Sequence, residues 1–325
     1  KKIDFVPIYH DLNLGRGISI RRIIDLKKQI QEIKPDIIFF SGVQLAAFHI
    51  LIASILARQR SRFMILRGFS FDALDISLLK RVVLALFIEP LCFLMCSKFV
   101  GNSHFSSNRL ITKFFWWKNE GYIHNLPPEN KEFNSYDLES LKNSLGISKQ
   151  KIVISSVGRI TVDKGYKVLL ESIRKLAKKR SDFVFLICGD GKYLNEFKEE
   201  IIKSSISENV LCLGKNQDIK KINSISDIFV LPSLHETLSS ALIEASTSKC
   251  SLIASRTGGI TEIVKDGFNG FTFTKGDSHD LLEKIEFLLD NSKLRSSMQL
   301  NALNYVENNF KKINIERKLE EFLLG

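Results

Sequence analysis

From Lys151 onward the chain alternates short apolar runs with amphipathic stretches. KIVISSVG precedes GYKVLLESIRKLAKKRS, and FVFLICGDG precedes KYLNEFKEEIIKS. After VLCLG, DIFVLPS precedes TLSSALIEASTSK, and SLIAS precedes TGGITEIVKDGFNGF. The long stretches repeat apolar residues at helical spacing, whereas the short runs are apolar at most consecutive positions. A strand apolar on both sides must be covered on both sides, so this order predicts a parallel sheet with helices on each face. HDLLEKIEFLLD and the tail to Leu324 read as further helices.

The first part repeats the pattern less regularly. IDFVPI, DIIFFSG, RFMILRG and SKFVGNS read as strands, with SIRRIIDLKKQIQEIK and AAFHILIASILARQR as helices between the first three. Residues 119–150 are polar and turn-rich, with Pro127-Pro128, and read as a linker holding a short helix. A length of 325 residues suits two domains. The expected division is 1–130, a linker at 131–150, a second domain at 151–310, and a C-terminal helix at 311–325 that packs back on the first domain.

Charge is uneven. Residues 1–130 hold 18 Lys/Arg against 10 Asp/Glu, which is +8 of the total +11. A basic half suits an anionic surface or a phosphorylated substrate. Five cysteines at 92, 96, 188, 212 and 250 show no CxxC spacing and read as reduced, buried thiols of a cytoplasmic protein. VVLALFIEPLCFLMCSKFV, residues 82–100, is long enough to span a bilayer. Glu89-Pro90 at its centre argues instead for a core helix broken at Pro90, running into a strand. No nucleic-acid-binding module is recognisable.

Chemistry is expected where strands end, since ligands of parallel α/β sheets bind there. GRITVDKG follows the first strand of the second half. Gly158 permits a close turn, while Arg159 and Lys164 offer a fork and a point charge for phosphate oxygens. The turn Gly189-Asp190-Gly191 would let a flat base approach the backbone. PSLHETLSSALIEA brings the amides of residues 237–240 to a helix start, a place that attracts anions. It also carries two carboxylates, Glu236 and Glu244, seven residues apart.

The joint order of SVGRITVDKG, ICGDG, VLCLG, SDIFVLPS, HETLSSALIEA and TGGITEIVKDGFNGF over roughly residues 151–310 resembles the retaining glycosyltransferases of family 4. KPDIIFFSG, FVGNS and the segment around Asn125 fit more loosely. The resemblance implies the α/β GT-B fold: two Rossmann-like doubly wound domains facing across a cleft, the N-terminal one incomplete because the chain begins near the family's second strand. It implies a hexosyltransferase-type enzyme that moves a sugar, with retention, from a nucleotide-diphosphate-sugar to an acceptor hydroxyl.

Arg159, Lys164 and Glu236 would be its catalytic residues: the two cations on the diphosphate, Glu236 on the donor sugar. Gly158, Gly189, Gly191, Leu238, Ser239, Ser240 and Glu244 would complete the donor site, with Glu244 on the ribose. A carboxylate accepts hydrogen bonds from a vicinal diol, so one for each ring is chemically apt.

No Asp-x-Asp pair occurs, so no metal and no cofactor beyond the donor is expected. The acceptor is expected to be a glycan or a lipid-linked sugar of cell-surface polysaccharide, lipopolysaccharide or capsule. The aromatic run KFFWWKNEGY suggests peripheral contact with an anionic membrane at the inner face. Two departures stand out: Thr237 where the family has glycine, and no opening glycine-rich loop. They keep open a non-catalytic subunit that binds a nucleotide-sugar or a partner enzyme. A sugar-nucleotide 2-epimerase would need further acid and base groups that the motifs do not supply. Among the histidines, His235 is a candidate sugar contact and His49 reads as a core residue. His10, His104 and His124 match no family histidine, and Arg67 is a weak phosphate or acceptor candidate.

Overall fold

The computed structural model describes residues 3–8, 17–74, 76–129, 132–215 and 217–325; His10 lies outside them. The chain forms two compact units, 1–124 with 317–325, and 125–316.

The first unit holds a parallel sheet in the order β1 (Ile38–Ser41), β2 (Arg62–Leu66), β3 (Lys98–Gly101) and β4 (Asn119–Tyr122). IDFVPI was expected as a strand, but residues 3–8 have no regular secondary structure; Pro7 removes a ladder donor from a run already short. Conversely β4, the polar NEGY, forms inside the stretch expected to be linker and pairs with β3 across a register shift. Helix Ile20–Ile33 starts at Ser19, whose Oγ accepts from Arg22 N, and buries Ile23, Leu26 and Ile30. His49 is fully buried and its Nε2 accepts from Ser19 N at 3.0 Å, a core role as expected. Phe322 of helix Lys312–Leu324 packs on Phe39 and Phe63, with ring centroids 6.3 and 5.4 Å away.

The segment around Glu89-Pro90 corrects one expectation. Pro90 sits in the first turn of helix Glu89–Met95, after a π-helical segment at Leu84–Ile88, and the helix continues through it. Glu89 N donates to Leu84 O, five residues back, so the ladder is already displaced at the proline and the widened turn accommodates its ring and missing N–H. Only one side enters the core, with Leu84, Ile88, Cys92 and Phe93 buried and Leu86, Phe87 and Leu94 exposed. Among the described residues no helix is long and apolar enough to cross a membrane. In KFFWWKNEGY, Phe115 is buried, whereas Phe114, Trp116 and Trp117 are exposed.

The second unit carries a six-stranded, all-parallel sheet in the order β10-β9-β8-β5-β6-β7. The strands are β5 (Ile152–Val157), β6 (Phe183–Cys188), β7 (Val210–Gly214), β8 (Ile228–Leu231), β9 (Ser251–Ser255) and β10 (Gly270–Phe273). β6, β8 and β9 are buried along their whole length. Helix Tyr166–Ala177 covers one face through Leu169, Leu170, Ile173 and Leu176. On the other, Leu138 and Leu141 of helix Ser135–Ser144 pack with Ile147 against Val153, Val184 and Leu186. Leu138 and Leu141 are only half-buried, so each contributes a fraction of the roughly 1.5–3 kcal/mol of a fully buried side chain, and together they hold this helix, read from sequence as part of a linker, against the second sheet. The five cysteines are unpaired, and all but Cys212 are buried. Burial pushes the thiols up, Cys96 to about 11 and Cys92 and Cys188 to about 12, so they are poor nucleophiles.

Candidate functional site

β5 and β8 are neighbours at the middle of the second sheet, so the loops leaving their C-terminal ends start side by side. Gly165 brings these loops into contact. Its φ is +73°, and a Cβ there would collide with the carbonyl oxygen of Pro232. Only glycine meets both demands without strain. Next to it, Leu234 N donates to Asp163 O at 2.9 Å, Thr257 Oγ1 to Leu234 O at 3.3 Å, and Gly259 N to Glu236 O at 3.4 Å. The loops after β5, β8 and β9 are thereby stitched together.

The result is an ion pair spanning 72 residues of sequence. Lys164 Nζ lies 2.6 Å from Glu236 Oε1, and Ser233 Oγ donates to the same oxygen at 3.0 Å. The two side chains are only 20% and 14% exposed. Partial burial strengthens their attraction and also makes either charge costly to leave alone.

Beside the pair lies a cavity of about 260 Å³. Of the residues expected from sequence, Gly158, Lys164, Glu236, Leu238, Ser239 and Ser240 line it. Helix Ser240–Thr247 begins there. Ser239 Oγ accepts from Leu242 N at 3.3 Å, which leaves the amides of Ser240 and Ala241 without a protein partner among the described residues. A cation, two open amides and a helix N-terminus in one small concavity make an anion-binding arrangement.

The other expected residues do not line this cavity. Arg159 is 65% exposed, its guanidinium 3.7 Å from Asp163. Gly189 and Gly191 sit under the same loop as backbone spacers, where a Cβ would meet the carbonyl oxygens of Gly158 and Ile160 respectively. Glu244 is half-buried in the second turn of its helix; burial first, then Asp218, pushes its carboxyl up, and Lys220 opposes them. Thr237 is buried and is not among the residues with positive φ, so glycine is not needed there in this chain.

Sequence reasoning missed three polar residues of the cavity lining: Ser156, Tyr166 and Ser233. Ser156 and Ser233 lie within motifs already singled out, and Tyr166 directly follows Gly165, so each was legible as a neighbour though not as a participant. Asn125, flagged only by its segment, donates from Nδ2 to Ser240 Oγ at 2.9 Å, and its Oδ1 is buried without a partner. No group of three or more His, Cys, Asp or Glu able to hold a metal occurs among the described residues.

Known proteins share this architecture. The crystal structure of Anabaena Alr3699/HepE in complex with UDP and glucose superposes with a TM-score of 0.82 at 20% identity, covering 95% of this chain and 84% of that one; the fold is GT-B. Capsular polysaccharide biosynthesis glycosyltransferase CapM of Staphylococcus aureus is 25% identical over 96% of this chain and 85% of its own length. UDP-Gal:alpha-D-GlcNAc-diphosphoundecaprenol alpha-1,3-galactosyltransferase of Escherichia coli is 29% identical over 54% of this chain and 46% of its own length. The chain spans about half the length of several curated relatives that it matches. The model of the family described as glycosyl transferases group 1 matches residues 137–305, just over half of the chain. That stretch contains the ion pair, the cavity and the helix mouth, and the chain belongs to the glycosyl transferases group 1 family.

Proposed function

We propose that the protein is a retaining glycosyltransferase that binds a nucleotide-diphosphate-sugar in the second unit and passes the sugar to a hydroxyl of a glycan or lipid-linked acceptor. The observation that carries this is the Lys164–Glu236 pair at the rim of a cavity that also holds the first amides of helix Ser240–Thr247. A diphosphate on those amides would give Lys164 a second anionic partner. Glu236 would then be released from one hydrogen bond and could accept from sugar hydroxyls. As the bond to the anomeric carbon breaks, negative charge grows on the leaving diphosphate, and Lys164 stabilises it in place. Arg159, exposed on the surface beside Asp163, would turn to the same phosphates, and Glu244 would hold the ribose. UDP is the nucleotide bound in Alr3699/HepE, and the galactosyltransferase of E. coli has a UDP-sugar in its name, so a uridine nucleotide is the first candidate.

The test is a thermal-shift and calorimetric screen of UDP, GDP and ADP, followed by assay of donor consumption. One nucleotide should raise the melting temperature in a concentration-dependent way, and Lys164→Ala should weaken its binding about tenfold or more, which is roughly 1.4 kcal/mol. A full panel without any shift would overturn the reading. Tight binding with no donor turnover, with or without acceptor, would favour a non-catalytic nucleotide-sugar-binding subunit.

A further inference from the structure

Eighteen consecutive residues of the first unit, Leu78–Met95, form one helical rod, with α-helical turns at each end joined by the π-helical segment. Its burial is one-sided. Leu84, Ile88, Cys92 and Phe93 enter the core with Phe69 and Phe99. Leu79 is 75% exposed, and Val83, Leu86, Phe87, Leu91 and Leu94 are open as well. The open residues return every three or four positions, so they form a stripe along the whole rod.

A second exposed apolar element adjoins its C-terminal end. Lys118 Nζ donates to the carbonyls of Phe93, Leu94 and Cys96 at 2.9, 2.6 and 2.7 Å. Phe115 stacks on Phe93 with centroids 5.3 Å apart. These contacts fix the 110–118 turn against the rod, and Leu110, Phe114, Trp116 and Trp117 are exposed there. A monomer rarely leaves so much contiguous apolar surface in water without a use for it.

Charge narrows what covers it. Residues 76–118 contain six Lys/Arg and one acid, Glu89, which is buried. Lys80 and Lys113 are exposed, and Arg81 lies over the Phe71 ring at 5.8 Å. Two copies of this face meeting about a twofold axis would bring like charges together. An anionic lipid surface offers the opposite charge and an apolar layer beneath it, and aromatic side chains favour that boundary.

We infer that the Leu78–Met95 rod and the 110–118 turn dock in the plane of a bilayer containing anionic lipid, apolar stripe inward and lysines at the headgroups. The docking uses no residue of the donor cavity, so its failure and the failure of the nucleotide reading are separable.

The chain has two tryptophans, Trp116 and Trp117, both in this face, so intrinsic fluorescence reports on it directly. The full chain is mixed with phosphatidylcholine vesicles with and without phosphatidylglycerol, and emission and co-sedimentation are recorded. Anionic vesicles should shift emission to the blue and pull the protein down, less so as salt is raised. The double variant Leu79→Glu/Phe87→Glu should lose about tenfold or more in vesicle affinity, since it removes apolar insertion and adds repulsion. It should keep nucleotide binding and thermal stability, because both positions are exposed. Leu300→Glu, on an exposed site of the second unit, should leave vesicle affinity unchanged. Absence of any shift at low salt with anionic vesicles overturns the inference, as does vesicle binding indifferent to the double variant. So does a concentration-dependent dimer, seen by sedimentation velocity, that the same variant dissolves while vesicles bind nothing.

Discussion

The two units treat their exceptions to a plain hydrophobic core in opposite ways. The second encloses polarity: Lys164, Glu236 and Ser233 meet at the strand ends, mostly covered. The first exposes apolarity, with a helix whose outer stripe is leucine, valine and phenylalanine. Each arrangement costs stability that a simpler sequence would keep, either through desolvated charge or through unburied hydrocarbon. The lesson is that such departures from stable design mark where a ligand or a surface completes the molecule.

The largest expected effect tests how the polar site is held together. Gly165→Ala forces a side chain into the Pro232 carbonyl at a left-handed φ, and should cost about 3 kcal/mol or more in chemical unfolding. Gly276→Ala is its control: φ is +84° but nothing lies within 4 Å of the added Cβ, so only about 1 kcal/mol should be lost. Equal losses would mean that the loop contact does not matter and that conformation alone explains both.

Next comes the ion pair. Lys164→Met alone leaves Glu236 with Ser233 as its hydrogen-bond partner from these loops and should destabilise by about 2 kcal/mol, below the value for a fully buried pair because both groups keep some solvent. Lys164→Met/Glu236→Gln should recover most of that stability and none of the nucleotide affinity. If affinity returned with stability, the pair would be structural and the diphosphate would sit elsewhere.

Much of this site could be read from the sequence because its parts are local motifs. GRITVDKG and PSLHETLSS each carry their chemistry within ten residues, and the strands before them are largely apolar. What sequence could not supply was the mutual approach: nothing in Lys164 or Glu236 says that they touch, and Gly165 reads as an ordinary turn glycine until Pro232 lies against it. β10 escaped for a related reason. GFTF is four residues between glycine-rich turns, and it becomes a strand only because Gly270 lets it pack against Leu252 of β9. The first unit was harder because Pro90 looks like a helix breaker in isolation, yet the π-helical segment before it shifts the ladder and lets the rod continue.

A smaller effect sharpens the contrast between the two units' buried carboxylates. Glu89 has no lysine; it accepts from Ser70 N, and burial is the main cause pushing its carboxyl up, with Asp72 adding and Arg109 and Ser70 opposing. A carboxyl raised in the folded state binds its proton more tightly there than in the unfolded chain. It therefore contributes its full stability below the unfolded value near 4.5 and loses it as pH rises through the folded one. Glu89→Gln, which keeps the acceptor and cannot ionise, should flatten this fall over the pH range above the unfolded value. The variant should gain on the wild type toward the alkaline end. A variant that tracks the wild type across that range would show that Glu89 titrates normally.

The smallest effect lies at Asn125, where the second unit begins. Its amide donates to Ser240 Oγ, the first helical residue at the cavity. Asn125→Ala removes one exposed hydrogen bond and should cost about 0.5 kcal/mol in unfolding. If Asn125 only positions the helix mouth, nucleotide affinity should fall a few-fold and turnover of bound donor should hold. Asn125→Asp gives a sharper result, because Ser240 Oγ can turn its proton toward a carboxylate and keep the hydrogen bond. Stability should then be retained, while the added negative charge beside the open amides competes with a diphosphate and lowers affinity more than the alanine does. The reverse order, alanine weaker than aspartate, would indicate that the helix start does not bind the anion and that Lys164 alone defines the pole of the site.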